Sequence, residues 1–236
     1  MSDPDTLLED LAATVLATRR AERDLLGALD EALLHRPIRE GDWTPKDVQA
    51  HLTAWKARQA DRYALVREGR EIPAPMAAEE EDALNEELRA ARADWTWPEI
   101  VDEADLVTER LVGEIRQADP AVVRASDRLI GGTFGNGVLH AVTHVRWLRE
   151  AGIPLDEERL LAFAAEARQL VAAESLPERD RAIGEYDLAC FYALVGMPDE
   201  ARPLLRAAFR HRPDLVEFSS TDPDLASMRD QLADLA

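Results

Sequence analysis

Apolar residues recur at helical spacing along nearly the whole chain, so nearly everything reads as helix. Leu8, Leu11, Val15, Leu25, Leu29 and Leu33 predict a long first helix over about 5–34. His35-Arg36-Pro37 ends it, because the residue before proline avoids the helical region. A short connection through Gly41 leads to a second helix over about 44–68. Thr44 is a good N-cap, Pro45 suits the first helical position, and Asp47 falls three residues after the cap. Its inward stripe is Val48, His51, Leu52, Trp55 and Gln59; Gly69, Pro73 and Pro75 close it. Residues 76–93 read as a helix with an acidic start, Glu79-Glu80-Glu81-Asp82, which the helix dipole favours. Thr96-Trp97-Pro98-Glu99 is another capping box and opens a helix to about 117, with Ile100, Leu106, Leu111 and Ile115 as its apolar positions. Asp119-Pro120 breaks it, and 121–130 reads as a loop or short irregular piece. The run Gly131, Gly132, Gly135, Gly137 reads as a flexible lead-in to a helix over 135–150, which Gly152 and Pro154 end.

Long helices starting near Asp5, Thr44, Thr96 and Gly135 predict an all-α fold, an antiparallel four-helix bundle over 1–154. Beyond Pro154 the helices shorten, to 156–173, 177–196, 198–211 and a last one from 222. Here Leu188, Ala189, Tyr192, Gly196, Ala201, Leu205, Ala208 and Pro213 fall where a tetratricopeptide helix pair wants them. The resemblance covers about one repeat, and one repeat cannot bury its own faces. A tetratricopeptide-like helical domain over 155–236 is therefore expected to pack on its flanking helices, on the bundle or on a second copy.

The formal charge of −19 over 236 residues repels phosphate backbones and anionic headgroups, so nucleic acid and membrane surfaces are poor partner choices. Lysine occurs only at Lys46 and Lys56. The single cysteine, Cys190, allows no internal disulfide and suits a reducing compartment. It falls at a position where a small buried residue is expected. The start, MSDPDTLLED, lacks a signal peptide's basic and apolar regions. A soluble, cytoplasmic protein is expected.

The chemistry concentrates in Gly131 to Ala151, GGTFGNGVLHAVTHVRWLREA. His140 and His144 stand four apart, one turn along the same helix face, where two imidazoles can reach one metal ion. His51, in WTPKDVQAHLTAW, is the best candidate for a third nitrogen. His35 and His211, beside Arg36 and Arg212 near helix ends, read as solvated. Spacing alone leaves open whether the other three are hydrogen-bonded core residues or ligands. Asp47, one turn before His51, reads mainly as part of the cap and less as a carboxylate orienting that ring. Trp55 and Arg58 follow His51 by one and two turns; a cleft lining and a core-plus-surface reading both remain open. The glycine run contains no lysine and follows no predicted strand, so it is a poor phosphate loop.

WTPKDVQAHLTAW followed by HAVTHVRWLREAG resembles the DinB/YfiT-like (ClbS/DfsB-like) superfamily of four-helix bundles, over roughly 5–154. The resemblance implies a divalent metal, zinc or nickel, bound by His51, His140 and His144, with Trp43 as the packing residue before the second helix. It further implies action on a small electrophilic molecule, by hydrolysis or by transfer of a low-molecular-weight thiol such as mycothiol or bacillithiol. Homodimers are common in that family. The alternative is a non-catalytic adaptor that uses its tetratricopeptide-like tail for protein–protein interaction or self-association.

Overall fold

The structure, a computed structural model, describes residues 6–39 and 42–235. The described residues are all-α, with one isolated bridge between Arg39 and Trp43. The longer helices are α1 (Thr6–Leu26), α3 (Pro45–Arg67), α4 (Ala78–Ala90), α5 (Trp97–Gln117), α8 (His140–Glu150), α9 (Glu157–Ala172), α10 (Glu178–Leu194) and α11 (Pro198–His211). Shorter pieces are α2 (Glu31–Leu34), α6 (Pro120–Arg124), α7 (Asp127–Gly132) and α12 (Asp214–Ser219). A π-helix, Thr133–Leu139, joins α7 to α8, and a 3-10 helix, Pro223–Asp234, ends the described chain. No described helix is long and apolar enough to cross a membrane.

The capping signals act as read. Thr44 N–H and Oγ1 donate to Asp47 Oδ2 at 2.9 and 2.8 Å, and Thr96 does the same to Glu99 Oε2 at 2.7 Å each. Four expectations are corrected. The first helix does not run to Leu34. It stops at Leu26, and Asp30 caps the separate α2 by accepting from Leu33 N–H at 2.8 Å. The stop falls before Gly27, where a Cβ would lie 2.6 Å from the Arg23 carbonyl oxygen. Residues 121–130 are not a loop: α6 and α7 occupy most of them, started by Asp119, whose carboxylate accepts from Ala121 N–H at 2.8 Å, and by Ser126. The glycine run is likewise helical, spread over α7 and the π-helix. Leu106 points outward and is 67% exposed, while Ile100, Leu111 and Ile115 are buried. The expected helix start at Asp5 and the connection at Gly41 lie outside the described residues.

One hydrophobic core joins both halves of the chain. Leu7, Leu11 and Val15 of α1, Leu111 and Ile115 of α5 and Phe134 of the π-helix pack with Leu160 and Phe163 of α9 and Phe191 of α10. Each such side chain contributes about 1.5–3 kcal/mol on burial. Gly184 of α10 makes this junction tight, since a Cβ there would meet the Phe134 ring at 2.4 Å. Ala189, Ala201 and Ala208 are fully buried between α10 and α11. A second core, with Trp43, Val48, Leu52, Leu148 and Ile153, lies at the end of the molecule that carries the histidines.

Candidate metal centre

The π-helix sets the stage for the histidines. His140 N–H donates to the Gly135 carbonyl, five residues back, the wide turn that defines such a segment. Its start is pinned to α3. Buried Gln59 donates from Nε2 to the carbonyls of Arg128 and Leu129 at 3.3 and 3.1 Å and to Thr133 Oγ1 at 3.3 Å. Tyr63 OH lies 2.9 Å from Thr133 Oγ1, and burial pushes its phenol up to about 12. Gly137 permits the close passage of α1, because a Cβ there would lie 3.1 Å from Val15 Cγ2. α8 then starts with His140 against the histidine-bearing turn of α3.

His51, His140 and His144 come together. His51 Nε2 and His140 Nε2 are 3.1 Å apart. The ring centroids lie 4.7 Å apart for His51–His140, 5.0 Å for His51–His144 and 4.9 Å for His140–His144. One nitrogen from each ring falls within 4.8 Å of the others. His51 and His144 are buried, and His140 is half-buried at the floor of a cleft of about 380 Å³. Trp43, Trp55 and Trp147 stand edge-on around them, with Trp43 5.4 Å from His51 and Trp147 4.1 Å from His144. Arg39 lies over the Trp147 ring at 4.1 Å. The acidic helix α4 crosses the mouth without burying any residue, and two hydrogen bonds tie it to the tryptophans. Trp43 Nε1 donates to Glu86 Oε1 at 2.8 Å, and Trp55 Nε1 to Asn85 Oδ1 at 3.0 Å.

Electrostatics keep the rings neutral. Burial and then Arg39 hold His51 down at about 4. Burial, then His51 and Lys56, hold His140 at about 3. His144 is held well below the ordinary imidazole value by burial first and then by His140, His51 and Arg39. A neutral imidazole offers one lone pair, the form that ligates a metal. Among the described residues, neither His144 nitrogen and not His51 Nδ1 has a hydrogen-bond partner. Buried polar atoms in native folds are nearly always satisfied, so these orphans fit a centre that takes a cation. Two nitrogens at the usual zinc distance in a tetrahedral shell stand about 3.3 Å apart, close to the spacing of the two Nε2 atoms. The residues present fit a divalent ion.

Residues 14–147 match the DinB superfamily, more than half of the chain. The chain belongs to the DinB superfamily. Neither a curated protein nor a solved structure matches it. In this DinB protein the matched segment contains all three histidines and ends at Trp147, so α9 onward, with its tetratricopeptide-like periodicity, lies outside it.

The weaker sequence candidates resolve individually. The Asp47 carboxylate accepts from Thr44, as a cap does. Trp55 packs on His51 and His140 at 6.2 and 6.1 Å, while Arg58 turns into a neighbouring cavity. His35 is exposed, and exposed His211 places Nδ1 2.7 Å from Glu178. Cys190 is buried; burial first, and then Asp222, push its thiol up, the reverse of an activated nucleophile. It groups with Asp222 and Asp224, but Asp222 is already engaged there. It accepts from Tyr186 OH at 2.7 Å and from Asp224 N–H at 2.9 Å, as a capped turn does.

Sequence reading missed a buried polar chain behind the histidines. Arg19 bonds Asp105 Oδ1 at 2.8 Å and Gln49 Oε1 at 3.1 Å. Gln49 donates to Glu22 Oε1 at 2.9 Å, and Glu22 Oε2 pairs with Lys56 Nζ. Glu22 and His144 line the same small apolar cavity. The only other lysine, Lys46, is also buried and donates to the carbonyls of Ala93 and Trp95 at 2.8 and 3.0 Å. The available signal was that lysine occurs at just these two positions of an otherwise arginine-based chain, which by itself places neither of them inside.

Proposed function

We propose that this DinB protein is a metal-dependent enzyme in which His51, His140 and His144 hold a divalent ion, zinc or nickel, and which acts on a small electrophilic molecule by thiol transfer or hydrolysis. The carrying observation is the convergence of three neutral imidazoles, with both His144 nitrogens buried and, among the described residues, unbonded. Three protein ligands leave a coordination position open, as catalytic sites do and closed structural sites do not. The ion would supply Lewis-acid polarisation, or lower the pKa of a bound water or thiol. The chain's own residues shape the rest. Trp43, Trp55 and Trp147 wall the rings with aromatic surface, and Glu86 and Asn85 fix two of those indoles. Arg39 at the mouth offers a cation to an anionic reactant such as a thiolate. A low-molecular-weight thiol is the proposed co-substrate, and the reducing cytoplasm the proposed compartment.

Elemental analysis of freshly purified protein tests the reading: one zinc or nickel per chain is expected. His144→Ala should lose the ion with helix content kept by circular dichroism. Chelator-sensitive transfer of mycothiol or bacillithiol to chlorodinitrobenzene would establish the transferase branch. Protein that carries no stoichiometric metal, and takes up none on titration, removes the proposal. The adaptor alternative rests on exposed Phe218 and Ile183 in the C-terminal helices and would gain from that outcome.

A further inference from the structure

A second cavity of about 430 Å³ lies beside the histidine cleft. Trp55 forms the partition: its ring is 6.2 Å from His51, 6.1 Å from His140, and 5.4 Å from the Arg58 guanidinium on the cavity side. Glu81 stands on the rim of both spaces. Three arginines line the cavity, Arg58 and Arg62 from α3 and Arg128 from α7. None of them forms an ion pair with a carboxylate among the described residues. Their visible partners are neutral. Arg62 Nη1 donates to Gln59 Oε1 at 2.9 Å, and Arg128 Nη1 donates to the carbonyls of Ile72, at 3.3 Å, and Pro73. Among the described residues, Arg58 Nη2 reaches only the Met76 sulfur at 3.7 Å, and its buried Nε has no partner. Asp61, also at the cavity, is engaged by Arg110.

A chain with a formal charge of −19 has carboxylates to spare, yet leaves these three cations together with little neutralisation. Burial first, and then the charges of Arg128 and Arg58, pull Arg62 below the ordinary guanidinium value, while Glu81 acts the other way. Gathering like charges in a half-enclosed space is unfavourable until an anion enters. Guanidinium groups suit oxyanions because their forked donors match carboxylate and phosphate geometry. The remaining wall, Trp55 with Pro73, Pro75 and Met76, is apolar and suits the carbon frame of a small molecule. Gly132 keeps the floor open: a Cβ there would lie 2.4 Å from Gln59 Oε1 and 3.0 Å from Arg62 Nη1.

We propose that this cavity is a binding site for the oxyanion end of a small organic molecule, a carboxylate or phosphate gripped by Arg58, Arg62 and Arg128. The body of that molecule lies against Trp55, so its far end is directed over the partition toward the histidines. Anion binding stands without the metal reading; only the statement that the far end reacts at the histidine centre rests on it.

Calorimetric titration of full-length, chelator-stripped protein with inorganic phosphate, and separately with benzoate, tests the site. Saturable one-to-one binding is expected for at least one of them; phosphate alone points to a phosphate ligand and benzoate alone to a carboxylate. Arg62→Gln should weaken it by about tenfold or more, the size of one lost charge-assisted hydrogen bond. Glu81→Gln should tighten it, because it removes the opposing charge. Arg58→Gln decides the matter if Arg62→Gln fails to fold. His144→Ala should bind the anion as the parent does, and Arg62→Gln should keep the parent's metal content, so the two readings fail separately. No saturable binding of either anion, or equal binding by parent and folded arginine variants, overturns the proposal.

Discussion

Lys56→Met probes the buried pair behind the centre. The Lys56 and Glu22 side chains are 4% and 2% exposed, so neither charge has water to fall back on. Removal of the ammonium leaves the Glu22 carboxylate with the Gln49 amide, a neutral donor, at 2.9 Å. Breaking one side of such a pair costs about 3–5 kcal/mol. In a chain of this size each kcal/mol lowers Tm by about 2–4 °C, so the variant should melt about 6–20 °C below the parent. The double variant Glu22→Leu, Lys56→Met removes both charges and should recover most of the loss, since packed apolar replacements of buried pairs are often neutral or better. Urea and thermal denaturation followed by far-UV circular dichroism read both changes. The pair also faces the histidines, because Lys56 depresses His140 and Glu22 shares a cavity wall with His144. Lys56→Met should therefore strengthen divalent-ion binding and Glu22→Gln weaken it. A Lys56→Met loss within about 1 kcal/mol, the value of a solvent-exposed pair, refutes the reasoning.

Other outcomes follow from the same interior. Unfolded imidazoles protonate near 6.5, but His51 and His140 wait until about 4 and about 3 in the fold. The unfolded state thus binds more protons in between, and metal-free stability should be complete above 6.5 and fall as pH drops toward 4. A pH series of urea midpoints should flatten in His140→Asn; an unchanged slope counts against burial of neutral rings. Asp187 has the opposite sign. Burial first, then Asp222 and Asp224, raise it to about 7, so its stability contribution is lost as pH rises through that value, and Asp187→Asn should remove the loss. Gly184→Ala, which drives a Cβ onto the Phe134 ring, should destabilise by about 1–3 kcal/mol or more. Gly113→Ala, with only the tip of Gln117 nearby at 3.9 Å, should stabilise by about 0.5–1 kcal/mol. Amine-reactive labelling with mass spectrometry should spare Lys46 and Lys56 in the native protein and reach both in denaturant; native labelling of either places it at the surface instead.

What the sequence disclosed was local. The boxes at Thr44 and Thr96 are spelled within four residues, so they were legible, and they fix where α3 and α5 begin. The i, i+4 pair at His140 and His144 was legible for the same reason. His51 was reachable because it falls on the apolar stripe that α3 turns inward. What stayed hidden depends on distant partners. Glu22 and Lys56 look like surface residues until α1 and α3 are packed together. Arg58 and Arg62 share one helix, but their isolation from carboxylates depends on Arg128 and on where Asp61 is drawn. The wide turn before His140 has no local code, because it is imposed by Gln59, Tyr63 and Val15 from other helices. Leu106 shows the converse error: an apolar residue in register that the neighbouring helices leave uncovered.

A π segment is an α-helix carrying one surplus residue. Were residues 133–139 to wind into ordinary α turns with no residue lost, everything downstream would swing by about 100° around the axis, one residue's worth. His140 and His144 would still be present and still paired with each other, yet they would face away from His51. Loss of one residue from the segment would leave that pair aimed at the ring from α3; loss of the wide turn at full length would not.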